Sequence, residues 1–159
     1  MKRDRLLSEA EALDILKTGQ YGVLGTVSPS GAPYGVPVNY YVDGQENAIF
    51  FHCATAGDKL THIAANSRVC FTVVTQAKID APRLTTYYES VIVTGTASVV
   101  TNENEKRRRL HGLCRALTPS VSADTCGSLA RTAVVCIRID SITGKRNAPP
   151  HGYSSAYVI

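Results

Sequence analysis

Hydrophobic and polar positions alternate along most of the chain in short runs, the pattern that is typical of half-buried β-strands. Turn residues such as Pro29-Ser30-Gly31 and Asp43-Gly44 separate the runs. One run, 68–75, is almost wholly apolar or β-branched, which predicts a strand with little exposure on either face. The pattern predicts strands over 21–28, 34–42, 48–53, 68–75, 87–100 and 132–142.

Three segments change to a helical period. Ser8 and Glu11 form a capping box before an apolar helix side, and Gly19 is placed to end that helix. A short helix is predicted near 58–65, and a longer one from Asn102 to about 117, where a Thr-Pro pair breaks it. Together with Gly95, which predicts a bulge or bend in its strand, the pattern indicates an antiparallel barrel or sandwich of six or seven strands with three helices.

Composition adds the class of protein. The 159 residues fit one domain, 1–159, without repeats, and 44% hydrophobic with 19% charged residues is ordinary for a globular protein. We expect a cytoplasmic protein with no membrane span, because neither a secretory signal nor ~20 consecutive apolar residues is present. The Gly-x-Gly-x-x-Gly and phosphate-loop fingerprints are absent from the sequence as well.

Charge and cysteines suggest no further chemistry. The net charge of +4 is densest at Lys106–Arg109, a run that we interpret as the solvated face of the long helix, so no nucleic-acid partner is expected. The five cysteines form no Cys-x-x-Cys pair and are predicted to be buried, reduced thiols. Adjacent His52 and Cys53 do not have metal-ligand spacing, so we expect no metal.

The segment 49–60, IFFHCATAGDKL, has the outline of a phosphate site. A strand ends at His52, a small-residue loop follows, and Lys59 lies in the first turn of the next helix. Small residues allow close backbone approach, and free N–H groups at a helix start favour an anion, to which Lys59 adds a positive charge. A surface lysine beside an ordinary strand–helix loop has the same spacing, so both interpretations stay open on the residues alone.

Several motifs occur in an order that resembles a known family. They are Gly22–Thr26, Gly31–Tyr40, Phe51–Ala54 with Gly57–Lys59, Asn66–Phe71 and Tyr88–Gly95. The order resembles the pyridoxamine 5′-phosphate oxidase-like split-barrel family, and within it the branch related to nitroimidazole-resistance proteins. The resemblance covers about 3–142 and leaves 143–159 as a tail, for which position suggests a role in wrapping the partner chain or covering the flavin.

The resemblance implies a mainly β, antiparallel split β-barrel of six or seven strands that binds FMN without a covalent bond. It implies a homodimer in which both chains build each FMN site. Carried over by position, Val38 and Asn39 lie against the isoalloxazine ring, Phe51 and His52 line its edge, and Lys59 meets the phosphate. Ser90 and Val91 come from the partner chain.

The expected function is an FMN-dependent oxidoreductase that reduces a small, electron-poor substrate. His52 is the candidate catalytic residue, because an imidazole beside a flavin can donate a proton or stabilise reduced flavin. A hydrogen-bonded structural histidine is the alternative for that residue. The chain has no tryptophan and lacks the Arg-x-His element of the oxidases proper, which argues against vitamin B6 oxidation. Alternatives for the whole protein are a non-catalytic flavin- or haem-binding module and a structural dimer with no ligand.

Overall fold

Each predicted strand and helix is present in the computed structural model, which describes residues 5–118 and 131–150. The elements in chain order are α1 (Glu9–Thr18), β1 (Tyr21–Val27), β2 (Pro33–Asp43), β3 (Ala48–Ala54), α2 (Asp58–Ala65), β4 (Arg68–Asp80), β5 (Thr85–Val99), α3 (Glu103–Leu117) and β6 (Thr132–Asn147).

Six antiparallel strands close a barrel in the order β1-β2-β3-β6-β5-β4. The mainly β fold with three helices is therefore confirmed within the described residues. The β5–β6 register shifts between Thr94 and Gly95, which confirms the predicted bulge. A Cβ on Gly95 would lie 2.3 Å from the Arg138 carbonyl oxygen, so the close approach of β6 requires glycine there.

The core fills the barrel with the inward side chains of the alternating strands, among them Leu24, Phe51, Phe71, Val93 and Ile137. Tyr40 also points inward, and its hydroxyl donates a 2.5 Å hydrogen bond to the Leu16 carbonyl oxygen of α1. This bond satisfies the polar end of a ring that is otherwise in apolar surroundings. It also ties α1 to β2.

The helices cover different parts of the barrel. α1 contacts β6 and β5, α2 contacts β1 and β5, and α3 contacts β2, β3 and β6. The capping box of Ser8 and Glu11 is present at the start of α1, as predicted. None of the helices in the described part of the chain is long and apolar enough to cross a membrane.

Two strand predictions need correction. β4 is not covered on both faces, because its residues alternate and Cys70 and Val74 are exposed on the outer side. β6 continues beyond 142 to Asn147, because it keeps pairing with β5 as far as Tyr88. Within this stretch Gly144 lets α1 pack directly on the strand, since a Cβ there would lie 2.8 Å from the Ala12 Cβ. The rest of the predicted tail, 151–159, lies outside the described residues.

Two side-chain predictions also fail. Arg109 is only 2% exposed, so the basic run is not wholly a solvated face. Among the cysteines, Cys114 is disulfide-bonded and Cys70 is exposed, because pairing and exposure depend on tertiary neighbours that the spacing does not show. Cys53 and Cys136 are free and half-buried, while Cys126 lies outside the described residues.

Candidate functional site

The barrel wall opens between β2 and β3. β2 pairs with β1 over Pro33–Asn39 and with β3 only over Tyr40–Asp43. β3 continues past that point with its pairs on β6 alone, His52 lying opposite Val134. We call this divergence the β2–β3 split. It brings Asn39 on one strand and His52 on the other to the same opening.

The side chains predicted to face a ligand differ in direction. Asn39 points outward and is exposed, and its Nδ2 donates a 2.9 Å hydrogen bond to the Gln20 carbonyl oxygen. A carboxamide has a second N–H and a carbonyl oxygen, so this bond leaves it hydrogen-bonding capacity on the solvent side. Val38 points inward and packs against the core. Asn39 can therefore meet a ligand with its side chain, and Val38 with its backbone.

The two neighbouring β3 residues also separate. Phe51 is completely buried in the core, so its side chain supports the wall from behind. His52 is exposed on the outer face, at the edge of an apolar pocket of about 250 Å³ beneath the C-terminal half of α3. Leu110, Leu113 and Leu117 line that pocket. The imidazole is thus accessible from the split and backed by apolar surface.

α2 begins immediately beyond the split. Its N-cap is Gly57, which has a φ of 134° and, among the described residues, no side-chain hydrogen bond caps the helix. Glycine adopts this φ without the strain that a Cβ would cause. The first N–H groups of the helix thus have no side-chain cap among the described residues, and Lys59 lies half-buried in the same turn. An uncapped helix start with a lysine favours a bound anion.

Lys59 is electrostatically coupled to the split. Burial raises the pKa of the Cys53 thiol, and the positive charge of Lys59 acts in the opposite direction. Cys53 follows His52 on β3 and packs against the core, so Lys59 lies within electrostatic range of the strand end that carries His52. The sequence analysis did not pair Cys53 with Lys59, although both residues belong to the segment 49–60.

Ser90 and Val91 lie on another side of the barrel. β5 is three strands from β2 in either direction around the ring, so outward side chains on the two strands point away from each other. Ser90 faces outward and is half-buried, whereas Val91 is completely buried in the core. One chain does not bring Ser90 together with Asn39 and Lys59.

The outer surface between these two regions is unusually apolar. Val23, Thr72 and Ile92 lie side by side on β1, β4 and β5, and Val23 and Ile92 are 44% and 46% exposed. Exposed Tyr21 and Val74 extend this surface, which we call the β1–β4–β5 face. Contiguous exposed apolar side chains of this kind mark interaction surfaces.

The sequence profile described as pyridoxamine 5′-phosphate oxidase matches residues 8–146, which is most of the chain. The match includes all six strands except Asn147, the last residue of β6. The chain belongs to this family. The resemblance inferred from the motifs is thereby confirmed. No curated protein matches the chain.

Solved structures share the family fold. A candidate 5-nitroimidazole antibiotic resistance protein from Bacteroides thetaiotaomicron is 22% identical, with a TM-score of 0.73 over 88% of this chain and 85% of that chain. An FAD-binding protein from Mesorhizobium loti is 21% identical, with a TM-score of 0.71 over 91% and 98%. The FAD and haem binding protein from Mycobacterium smegmatis is 21% identical, with a TM-score of 0.76 over 94% and 75%.

The residues of this chain at the β2–β3 split and at the start of α2 suit a flavin nucleotide. A flavin has a flat ring with polar N and O atoms along one edge, and its phosphate carries negative charge. The split offers the Asn39 amide and strand backbone for such an edge, and the start of α2 offers N–H groups and Lys59 for the phosphate. In the described ranges, no group of three or more His, Cys, Asp or Glu side chains is arranged to hold a metal.

Proposed function

We propose that this protein is an FMN-binding flavoprotein and an oxidoreductase that reduces a small, electron-poor substrate. The observation that carries the proposal is the uncapped start of α2, with Gly57 and Lys59, beside the β2–β3 split. Family membership and the flavin-binding proteins of the same fold support it. FMN is the flavin with one phosphate monoester, the group that a helix start with one lysine accommodates best.

The side chains at the split have distinct roles in this proposal. Lys59 and the first N–H groups of α2 hold the phosphate. Asn39 donates to and accepts from the polar edge of the ring, and the β2 backbone at Val38 lies against it. Flavin, when bound, supplies the two-electron redox chemistry. His52 is exposed at the opening, where its imidazole N–H can donate to the substrate.

A homodimer completes the site. The β1–β4–β5 face is the surface that a second copy covers, and it carries Ser90. Because Ser90 points away from the split of its own chain, it reaches a flavin only in the other copy. A two-fold axis makes each copy contribute to both sites, since a two-fold interface uses the same patch on both chains.

Flavin titration tests the proposal. Titrating the purified protein with FMN and with riboflavin, which lacks the phosphate, separates phosphate recognition from ring recognition. We expect Lys59→Ala to weaken FMN binding by about tenfold, the loss of one charge-assisted contact, and to leave riboflavin binding unchanged. Lys17→Ala, at an exposed position of α1, is the matched control and should bind both ligands as the wild type does.

Each contrary result has a defined meaning. Failure of the wild-type protein to bind either flavin at saturation would contradict the flavoprotein assignment. A Soret band after addition of haem, without flavin binding, would favour a haem-binding module. If flavin binds but, once reduced, is not reoxidised by nitroaromatic acceptors, the protein is a binding module and not a reductase of this class.

A further inference from the structure

A buried polar contact joins α2 to β1. Thr26 Oγ1 and His62 Nδ1 lie 3.0 Å apart, and the two residues are only 3% and 8% exposed. The Tyr34 ring from β2 meets the imidazole edge-on, with 5.2 Å between the ring centroids and an angle of 86° between the planes. Buried polar groups are costly unless paired, so this contact constrains the direction of the His62 side chain.

The other contacts of α2 constrain it less. Ile63 is buried in the core, and Leu60 packs against it. Apolar packing is less directional than a hydrogen bond, so these two residues select the side of α2 that meets the barrel but constrain its exact rotation less. The hydrogen bond between Thr26 and His62 supplies the missing directional constraint, since it weakens steeply with misalignment.

The rotation of α2 determines where Lys59 points. His62 follows Lys59 by three residues, and residues at this spacing lie on the same side of a helix. The bond that turns His62 toward β1 therefore also orients Lys59 and the first turn of α2 relative to the β2–β3 split. A helix that rotated would keep its lysine but misdirect the ammonium group.

We propose that Thr26 and His62 are positioning residues for phosphate recognition. Their hydrogen bond orients α2 so that Lys59 and the helix N–H groups meet the phosphate monoester of the flavin. This inference rests on the proposed flavin site. Neither residue touches the ligand in this arrangement, so the effect is confined to the phosphate end of the site.

The test compares the binding of FMN and of riboflavin to two variants of Thr26. Thr26→Val keeps the shape of the side chain and removes the hydroxyl, whereas Thr26→Ser keeps the hydroxyl. We expect Thr26→Val to weaken FMN binding by about fivefold to tenfold, the effect of one lost hydrogen bond, while riboflavin binding stays within twofold of the wild type. Thr26→Ser should restore the wild-type ratio of the two dissociation constants.

A second pair of variants keeps the inference testable if Thr26→Val folds poorly. His62→Asn places an amide near the position of Nδ1 and should keep the wild-type ratio, and His62→Leu should lose it. Equal weakening of FMN binding and riboflavin binding would show a merely structural role, and unchanged FMN binding would show no role at all. Either result overturns the inference. Failure of the proposed site is a separate result, seen when the wild type binds no flavin or Lys59→Ala has no effect.

Discussion

At the scale of single residues, Arg109 differs most from what the sequence predicts. Its guanidinium bonds Asp43 at 2.7 Å, Glu105 at 2.5 Å and Glu46, and it lies 3.8 Å from the centre of the Phe50 ring. The helical spacing places it one turn before Leu113 on the packed side of α3. A basic residue in a basic run is ordinarily solvated. Two of the carboxylates that bond Arg109, those of Asp43 and Glu46, lie far from it in the sequence, and the sequence analysis did not pair Glu105 with it.

The carboxylates around Arg109 give a prediction about pH. Hydrogen bonds from Arg109 lower the pKa of the Asp43 and Glu46 carboxyls, and a hydrogen bond from Arg108 lowers that of Glu105. Groups with a depressed folded-state pKa stabilise the fold above the unfolded pKa, about 4 for a carboxyl, and lose that contribution as the pH falls through the folded-state value. The free energy of unfolding should therefore fall from about pH 5 downward.

Urea denaturation at a series of pH values checks this prediction. Arg109→Met removes the main cause of the depressed pKa values of Asp43 and Glu46, so the stability of this variant should depend less steeply on pH than that of the wild type over the same acid range. Parallel curves for the two proteins would contradict the assignment of the acid sensitivity to this cluster.

At the scale of elements, the Arg109 cluster connects α3 to the turn between β2 and β3. Asp43 ends β2 and Glu46 lies in the turn, while Glu105 and Arg109 belong to α3. Removing one partner of a buried ion pair leaves the other charges uncompensated. α3 also carries the wall of the pocket beside His52, so its position affects the candidate site.

Arg109→Met should therefore destabilise the protein by about 2–4 kcal/mol, toward the lower figure because its three carboxylates are partly exposed and regain water. Arg107→Met, at an exposed position of the same helix, should change the free energy of unfolding by less than about 0.5 kcal/mol. Chemical denaturation near neutral pH measures both, and equal stabilities would show that the cluster does not hold α3.

Close packing of α1 on β6 gives a second prediction at this scale. Gly144→Ala would place a Cβ 2.8 Å from that of Ala12, and should destabilise the protein by about 1–3 kcal/mol, the usual cost of overpacking. Gly44→Ala is the control, because its nearest neighbour is the flexible Lys17 side chain at 3.6 Å. Thermal unfolding of both variants distinguishes them, and an unchanged Tm for Gly144→Ala would contradict the close approach.

Local signals were sufficient for the order of the elements. The capping box at Ser8, the N-cap at Asn102 and the bulge at Gly95 are each visible in a few residues and are each present. The ends of β4, β5 and β6 were not predictable in this way, because their polar residues pair with one another beyond the barrel core. The split likewise depends on the residue at which β2 stops pairing with β1 and begins to pair with β3, and no local sequence pattern shows that residue.

The candidate site was only partly predictable for the same reason. The resemblance placed Asn39, His52 and Lys59 around one ligand; in the structure Asn39 and His52 lie on the two strands of the split, and Lys59 lies in the first turn of the helix that follows β3. The resemblance did not show that Phe51 and Val91 are buried in the core, because their inward direction depends on strand register. It also left Thr26 and His62 unconnected, since they lie on separate elements and meet only in the folded chain.

At the scale of the whole molecule, the proposed flavin site requires two copies of the chain. Exposed Val23 and Ile92 lie on the β1–β4–β5 face, and Ser90 belongs to the same surface. In the proposed homodimer, burying this face would remove apolar area from water and would bring Ser90 to the split of the other copy. Dimerisation and flavin binding are therefore expected to be lost together.

Val23→Asp places a charge in the centre of this face and should produce a monomer that no longer binds FMN tightly. Val99→Asp is a matched control, because Val99 is 40% exposed against 44% for Val23 but is the last residue of β5. Analytical ultracentrifugation reports the mass of each variant. A Val23→Asp protein that stays dimeric, or a monomer that keeps full FMN affinity, would contradict the shared site.

The most direct test of the central claim, a flavin site built by two copies, is the FMN stoichiometry of a mixed dimer. One chain carries Lys59→Ala and the other Ser90→Glu, and two different affinity tags isolate the dimers that contain both. If each site takes Lys59 from one copy and Ser90 from the other, one of the two sites in every mixed dimer is intact. We expect one FMN per mixed dimer at wild-type affinity, whereas neither parent dimer should keep a site of wild-type affinity. A mixed dimer that binds no FMN tightly, while the wild type binds two, would show that each site lies within a single chain.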